Sequence, residues 1–297
     1  MRGRRPALIL SAILIVASLA LFVTRGLNLG IDFVGGITIE VGAEEPIDLS
    51  AMRGTLNDLG LGDVAIQSFG SPTEALIRVE RQPGEAEAQQ EAVERVQTAL
   101  SAQFDGLAWR RVEVVGPKVS SELAQKGALS VGLAVIAVLI YIWLRFEWQF
   151  GLGAVIALVH DVVLTIGFFS ITQLEFNLSI IAAILTIIGY SLNDTVVVYD
   201  RVRETIRRFR RLEMVDLLNL SLNQTLSRTI MTSLTTLLAL FALFFFGGSV
   251  IRGFTAAMIW GVFVGTYSSV FIASPVLLML RLRRESLLPD DVKPAAS

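Results

Sequence analysis

Asp194 stands in an apolar run long enough to cross a lipid bilayer, and Arg228 stands at the head of another. A carboxylate at the centre of a spanning helix costs roughly 2.5–3.5 kcal/mol on insertion scales, so such groups pair, line a water-filled path or carry protons. Four more ionisable side chains lie in or beside apolar runs: His160, Asp161, Glu175 and Asp200. Around Asp194 the chain reads Gly189-Tyr190-Ser191-Leu192-Asn193-Asp194-Thr195, with hydroxyls, an amide and a carboxyl in one short stretch. Two readings are open. The cluster hydrogen-bonds to neighbouring helices for packing, or its carboxylate titrates. Burial in lipid disfavours the charged form of a carboxyl and a nearby cation favours it. An aspartate that alternates between those surroundings loads and releases a proton, and this is the preferred reading.

At 1.5 Å per residue, Arg228 lies about 27 Å from the outer end of its run and Asp194 about 24 Å from the outer start of its own, so the two can meet if their helices touch. Arg228, Thr232 and Thr235 share one helical face. The alternative for Arg228 is that it snorkels to the headgroups. His160 is the single histidine and there is no cysteine, so a His- or Cys-based metal cluster, disulfides and thiol catalysis are excluded within this chain. Gly153, Ala157, Asp161 and Thr165 form a stripe at spacing four that suits close helix packing. Asp161 on that stripe makes an interhelical hydrogen bond or, with His160, Asn193 and Thr232, belongs to a secondary relay. Gly261, Gly265, Ser269 and Ala273 form a second stripe, a helix-contact face. Asp200 precedes a run of arginines and is expected to be an interfacial ion-pair partner, whereas Glu175, in an outer loop, calls for no special role. No Walker loop, dinucleotide glycine fingerprint or zincin motif is present, so no enzymatic activity, cofactor or metal is expected.

These residues need helices to hold them. The chain has 297 residues, 53% of them hydrophobic, and a mean hydropathy of +0.64, which is the composition of a multi-span membrane protein. Apolar runs at 7–23, 128–144, 152–171, 178–199, 229–246 and 254–280 predict six spans. The first follows Arg2, Arg4 and Arg5 and reads as an uncleaved anchor. Basic residues cluster before span 1 and after spans 2, 4 and 6, all on one side if there are six spans. The positive-inside rule makes that side cytoplasmic, with both termini, and a cytoplasmic tail over 285–297. The arginines of 201–211 read as a topology determinant with a secondary chance of binding anionic lipid.

Residues 28–122 then form a periplasmic domain between helices 1 and 2, after span 1 in 1–27 and before helices 2–6 in 123–284. Strands are predicted at 37–41, 64–69, 75–79 and 109–115 and helices at 48–60 and 85–104. The order β-α-β-β-α-β suggests a small α+β ferredoxin-like fold. Gly35-Gly36 and Gly116-Pro117 flank this domain and are expected to be its hinges.

Six segments carry a likeness: Gly30–Gly36, Gly116–Val119, His160–Gly167, Gly189–Glu204, Leu222–Thr229 and Gly265–Ser269. In them the chain resembles the SecF family of protein-export membrane proteins, of the resistance-nodulation-division superfamily. The resemblance implies a partner, SecD, and action beside the SecYEG channel after the SecA motor has pushed a preprotein through, in the bacterial inner membrane. It implies use of the proton motive force, with protons as the coupling ion, and places the family's relay aspartate and its basic partner on Asp194 and Arg228. A SecD carboxylate is expected opposite them. Partners in this reading are SecD, the channel, the translocating preprotein and membrane lipids, with no nucleic acid. Ser120 departs from the glycine frequent in the family at the turn before span 2. Two alternatives stand beside this reading: a non-titrating structural partner of SecD, and a half-size exporter of small hydrophobic molecules. An intramembrane aspartyl protease using Asp161 and Asp194 lacks the Gly-x-Gly-Asp segment such enzymes need.

Overall fold

A computed structural model describes residues 3–280 except 85, 210 and 249. The predicted tail at 285–297, and Arg281, Arg283 and Arg284 after the last span, lie outside the described residues. Six helices among the described residues are long and apolar enough to cross a membrane. They are α1 (Arg4–Arg25), α5 (Pro117–Arg145), α6 (Trp148–Thr172), α7 (Leu178–Arg208), α8 (Met214–Phe246) and a last span from Arg252 to Met279. The last span is composite. Its α9 (Arg252–Ser268) passes through a π-helical segment, Ser269–Ala273, into α10 (Ser274–Met279).

The spans divide by burial. α6, α7 and the last span form the packed centre, with Phe150, Phe169, Ile187, Tyr199 and Val262 nearly inaccessible. α1 buries only Ser11 and Ser18, and α5 only Ser120, Gly127 and Ile142. Close packing without a hydrophobic drive between helices needs small residues at the contacts. Gly167 on α6 lies so close to Ser18 of α1 that an added Cβ would overlap it, and Gly153 stands in the same relation to the Tyr199 hydroxyl.

Between α1 and α5 lies a small antiparallel sheet. Its elements follow the predicted order: β1 (Gly36–Gly42), α3 (Leu49–Asn57), β2 (Val64–Phe69), β3 (Ser71–Val79), α4 (Ala86–Gln103) and β4 (Ala108–Val115), after a one-turn helix α2 (Ile31–Val34). The strand order is β2-β3-β1-β4, with Ile39 opposite Ile77 on one side and Val112 on the other. Ile37, Ile39 and Val41 alternate inward along β1 and meet Met52, Leu56, Val93, Val96 and Leu100 of the two helices, the period-two and period-3.6 faces the sequence encodes. Asp48 caps α3, its Oδ1 accepting from the Ser50 and Ala51 amides at 2.9 and 3.1 Å.

Two joints differ from the expected boundaries. β3 begins at Ser71 rather than 75, so the turn contracts to Gly70, whose φ is +85°. The division expected between 122 and 123 falls inside α5, which runs unbroken from Pro117 to Arg145. Pro117 at its first turn, after Gly116 in extended backbone, starts the helix where a proline costs no hydrogen bond.

The sheet also touches the bundle. Arg78 forms an ion pair with Glu175 at 2.6 Å and donates to Asn28 Oδ1 at 3.1 Å. The Leu178 amide donates to Asp32 Oδ2 at 2.7 Å, and Leu29 bridges Phe176 in parallel. Thr38 and Glu40, on the sheet face away from α3 and α4, line a cleft of about 450 Å³ with Glu175, Asn177 and Arg252.

Candidate functional site

Asp194 lies on α7, sixteen residues after its start at Leu178, and is 3% exposed. Its Oδ2 is buried without a hydrogen-bond partner among the described residues, and so is the hydroxyl of Tyr190, one turn earlier. Arg228 is exposed on the neighbouring α8, which continues fourteen residues before it. No ion pair joins Asp194 and Arg228 within 4.0 Å, although the guanidinium is within coulombic reach of the carboxylate. Arg228 instead lines a cleft of about 240 Å³ with Asp200, Arg201, Glu204 and Gln224. Asp200 pairs with Arg145 at 3.4 Å. Asn193 is exposed, one turn before Val197 on that cleft. Thr232 bonds back to the Arg228 carbonyl at 2.9 Å, within its own helix.

A second polar centre lies on the inner side of α7. Asp161 of α6 is 1% exposed, and its Oδ2 accepts from Ser191 Oγ of α7 at 2.6 Å and from Ser268 Oγ of α9 at 2.7 Å. Its Oδ1 is 2.8 Å from His160 Nδ1. One carboxylate thereby ties three spans together, and α7 carries Asp194 three residues after Ser191.

The stripe on the last span explains how α7 and α9 approach so closely. A Cβ on Gly261 would overlap Ile187, and one on Gly265 would lie 3.0 Å from Ser191 Cβ. Ser269 is fully buried at the start of the π segment, its hydroxyl bonded to the Thr266 carbonyl at 3.0 Å. Around it Tyr199 donates to Ala273 O at 3.2 Å and Ser274 Oγ to Ser269 O at 3.2 Å. Such π segments recur at functional sites.

Gly35 and Gly36 have φ of +74° and +122°, where a side chain is strained, and a Cβ on Gly36 would be 2.7 Å from the Val79 carbonyl. Gly35 packs near Ser120 Oγ, while Gly116 has open space around it. Among the described residues no group of three or more acidic or histidine side chains could hold a metal ion.

The site thus separates into Asp194 and Arg228 on α7 and α8, which are not bonded to each other, and a hydrogen-bonded hub on α6, α7 and α9. Ser268 and Tyr267, which complete the hub, were not singled out from sequence. Their signal was their place in the Gly265–Ser269 segment that carries the family likeness, beside the contact stripe.

Comparison with known proteins gives this arrangement its context. Residues 95–283 match the family described as "Protein export membrane protein SecD/SecF, C-terminal", and residues 20–47 match the "SecD/SecF GG Motif", which includes Gly35 and Gly36. The protein translocase subunit SecF of Magnetococcus marinus is 53% identical over 279 residues, covering 93% of this chain and 90% of that protein. The subunit of the same name from Rhodobacter capsulatus is 48% identical over 290 residues, covering 94% and 87%. The crystal structure of SecDF, a translocon-associated membrane protein from Thermus thermophilus, superposes with a TM-score of 0.85 at 36% identity. That match covers 95% of this chain and 38% of the SecDF chain, so the chain spans under two-fifths of SecDF's length. SecDF in its Super-membrane-facing form gives 0.70 over 96% of this chain and 39% of that one. The membrane bundle, the glycine pair and the extent of identity all lead to one assignment: the chain belongs to the SecD/SecF protein-export family, among the relatives named SecF.

Proposed function

We propose that the chain works as the SecF half of a SecD–SecF complex in the bacterial inner membrane, using the proton motive force to assist late steps of Sec-dependent translocation. The observation that carries this reading is the state of Asp194: a carboxylate buried in a spanning helix, with one oxygen unpartnered among the described residues and Arg228 within coulombic reach but not ion-paired to it. An aspartate locked in a salt bridge would be a packing element. One whose partner faces a separate cleft is free to change partners, and a proton shifts two states only by its differential affinity for them. Asp194 takes up a proton from the periplasmic side while Arg228 is turned away, and releases it toward the cytoplasm as the two approach.

In this reading SecD covers the polar face of α7 and α8, from Asn193 to Glu204 and from Gln224 to Arg228. Polar side chains facing lipid are costly, which favours a protein there, and a SecD carboxylate completes the relay. The sheet domain is a periplasmic ferredoxin-like module, both termini are cytoplasmic, and Gly35-Gly36 and Gly116-Pro117 are its pivots. SecYEG delivers the preprotein and SecA acts upstream. The chain is no enzyme in this reading and needs no cofactor beyond the proton.

The test is pulse-chase export of a secretory preprotein in cells depleted of this subunit. They are rescued with wild type, Asp194→Asn or Arg228→Ala at matched levels, with SecD assembly verified. Both variants are expected to assemble and leave export at the depleted level. Normal export by both would make the pair structural and refute the proton role.

A further inference from the structure

His160 is the chain's one histidine. It sits twelve residues from either end of α6, about 18 Å by the helical rise, and is 1% exposed. Its environment is built from four helices. Nδ1 lies 2.8 Å from Asp161 Oδ1. The ring stacks on Tyr267 of α9 with centroids 6.1 Å apart and planes 26° from parallel. The Tyr267 hydroxyl is held in turn by α1, donating to the Ala7 carbonyl at 2.9 Å and lying 3.0 Å from Ser11 Oγ.

With Asp161 ionised, the hydrogen bonds place the neighbouring protons. Asp161 meets two hydroxyls and an imidazole nitrogen, and the shortest two contacts, from Ser191 and Ser268, both fall on Oδ2. Ser268 Oγ is also 3.1 Å from the Gly265 carbonyl, a longer alternative. An ionised carboxylate only accepts, so it satisfies all three donors together. The Nδ1 proton then belongs to the histidine, which leaves the lone pair of the neutral ring on Nε2. Nε2 is buried and has no partner among the described residues.

We propose that Nε2 of His160 is a second proton-binding site of the membrane bundle, and that Asp161 is the positioning residue that fixes the ring's tautomer. The step is simple. A hydronium ion gives its proton to the Nε2 lone pair, water leaves, and no other bond is made or broken. The pair passes from imidazole and carboxylate, carrying one negative charge, to imidazolium and carboxylate, carrying none. The titratable groups in contact with it are Asp161 on its own helix and Tyr267 on α9; Asp194 lies one turn beyond Ser191 on α7 and does not touch it. α1 reaches the site through Ser11 and the Ala7 carbonyl on the Tyr267 hydroxyl. Ser191, which donates to Asp161, stands three residues before Asp194 on α7. The inference deepens the proton-driven reading by adding a second site, but its test does not pass through export.

The full chain with SecD in lipid nanodiscs, labelled with 15N-histidine, gives a ring signal identified by its loss in His160→Gln. Near pH 8 the neutral ring is expected to carry its proton on Nδ1, and acidification to about pH 5 should convert it to imidazolium. Asp161→Asn should lose the single tautomer. Because that variant risks misfolding, Ser268→Ala serves as a milder one: it should move the titration midpoint, while Ser170→Ala, also buried on α6, should not. A neutral ring protonated on Nε2, no imidazolium across that range in folded protein, or a midpoint unmoved by Ser268→Ala would each overturn the proposal. The same titration in Asp194→Asn separates the two readings. A His160 signal that still titrates while export is normal supports this site and sinks only the Asp194 mechanism.

Discussion

Gly261→Ala adds one methyl group at the closest approach of α9 to α7. The new Cβ overlaps the side chain of Ile187, which is 1% exposed and branched at Cβ, so it has no free rotamer to retreat into. The helices must move apart, and overpacking of a filled core costs about 1–3 kcal/mol. Against this, alanine in a helix interior is better than glycine by about 1 kcal/mol. The two effects partly cancel, so the variant alone is a poor test. Gly189→Ala supplies the missing reference: Gly189 is an exposed helical glycine on α7 with nothing within 4 Å of an added Cβ. The difference between the two variants isolates the overpacking cost of about 1–3 kcal/mol, or about 2–12 °C in melting temperature at 2–4 °C per kcal/mol. Thermal melting of the full chain in detergent, followed by circular dichroism, reads it directly. Gly261→Ala melting within about a degree of Gly189→Ala would refute the claim that the stripe sets the α7–α9 distance.

Two further perturbations probe other joints. Glu175→Gln removes the ion pair with Arg78, whose partners are each about a quarter exposed or less; it should change stability by no more than about 1 kcal/mol yet raise deuterium uptake across 28–34, and uptake that stays at the wild-type level would show that the pair does not hold the sheet to the bundle. Tyr199→Phe leaves the Ala273 carbonyl of the π segment without its donor and should cost about 0.5–1.5 kcal/mol in a melting experiment; an unchanged melting temperature would mean that this bond does not stabilise the π segment.

The spans were legible because lipid imposes a length and a composition, and the predicted run at 178–199 starts where α7 starts. Helix starts buried in polar sequence were not. α8 begins at Met214, fifteen residues before its apolar run, because Asp216, Asn219, Asn223 and Gln224 carry the helix beyond the hydrocarbon. The four strands were readable from alternation, yet β3 reached back through Pro72, which a central-strand pattern argues against. At the site, single residues were visible and partnerships were not. Asp161 stood out as a carboxyl on a small-residue stripe, but Ser268, 107 residues away, carries no mark of pairing with it. Glu175 looked like an ordinary loop residue because its partner, Arg78, is brought to it only by the docking of the sheet. The π segment is invisible to periodicity, since five residues in a changed register barely disturb an apolar run.

The continuity of α5 has a mechanical consequence. A 29-residue helix is a rod about 44 Å long, joined at its head to the last strand of the sheet through one glycine and one proline. Its flanks are nearly bare, with three buried residues along its whole length. α1, the other connection, also buries few residues, but it is fastened to the bundle where Gly167 packs on Ser18 and where Tyr267 bonds to Ala7. A tilt of α5 would therefore be carried to the sheet through a link only two residues long, against the restraint of the Arg78–Glu175 pair. Should the packed centre of α6, α7 and the last span shift, α5 is the lever that would deliver the movement to the sheet, and α1 the fixed post beside it.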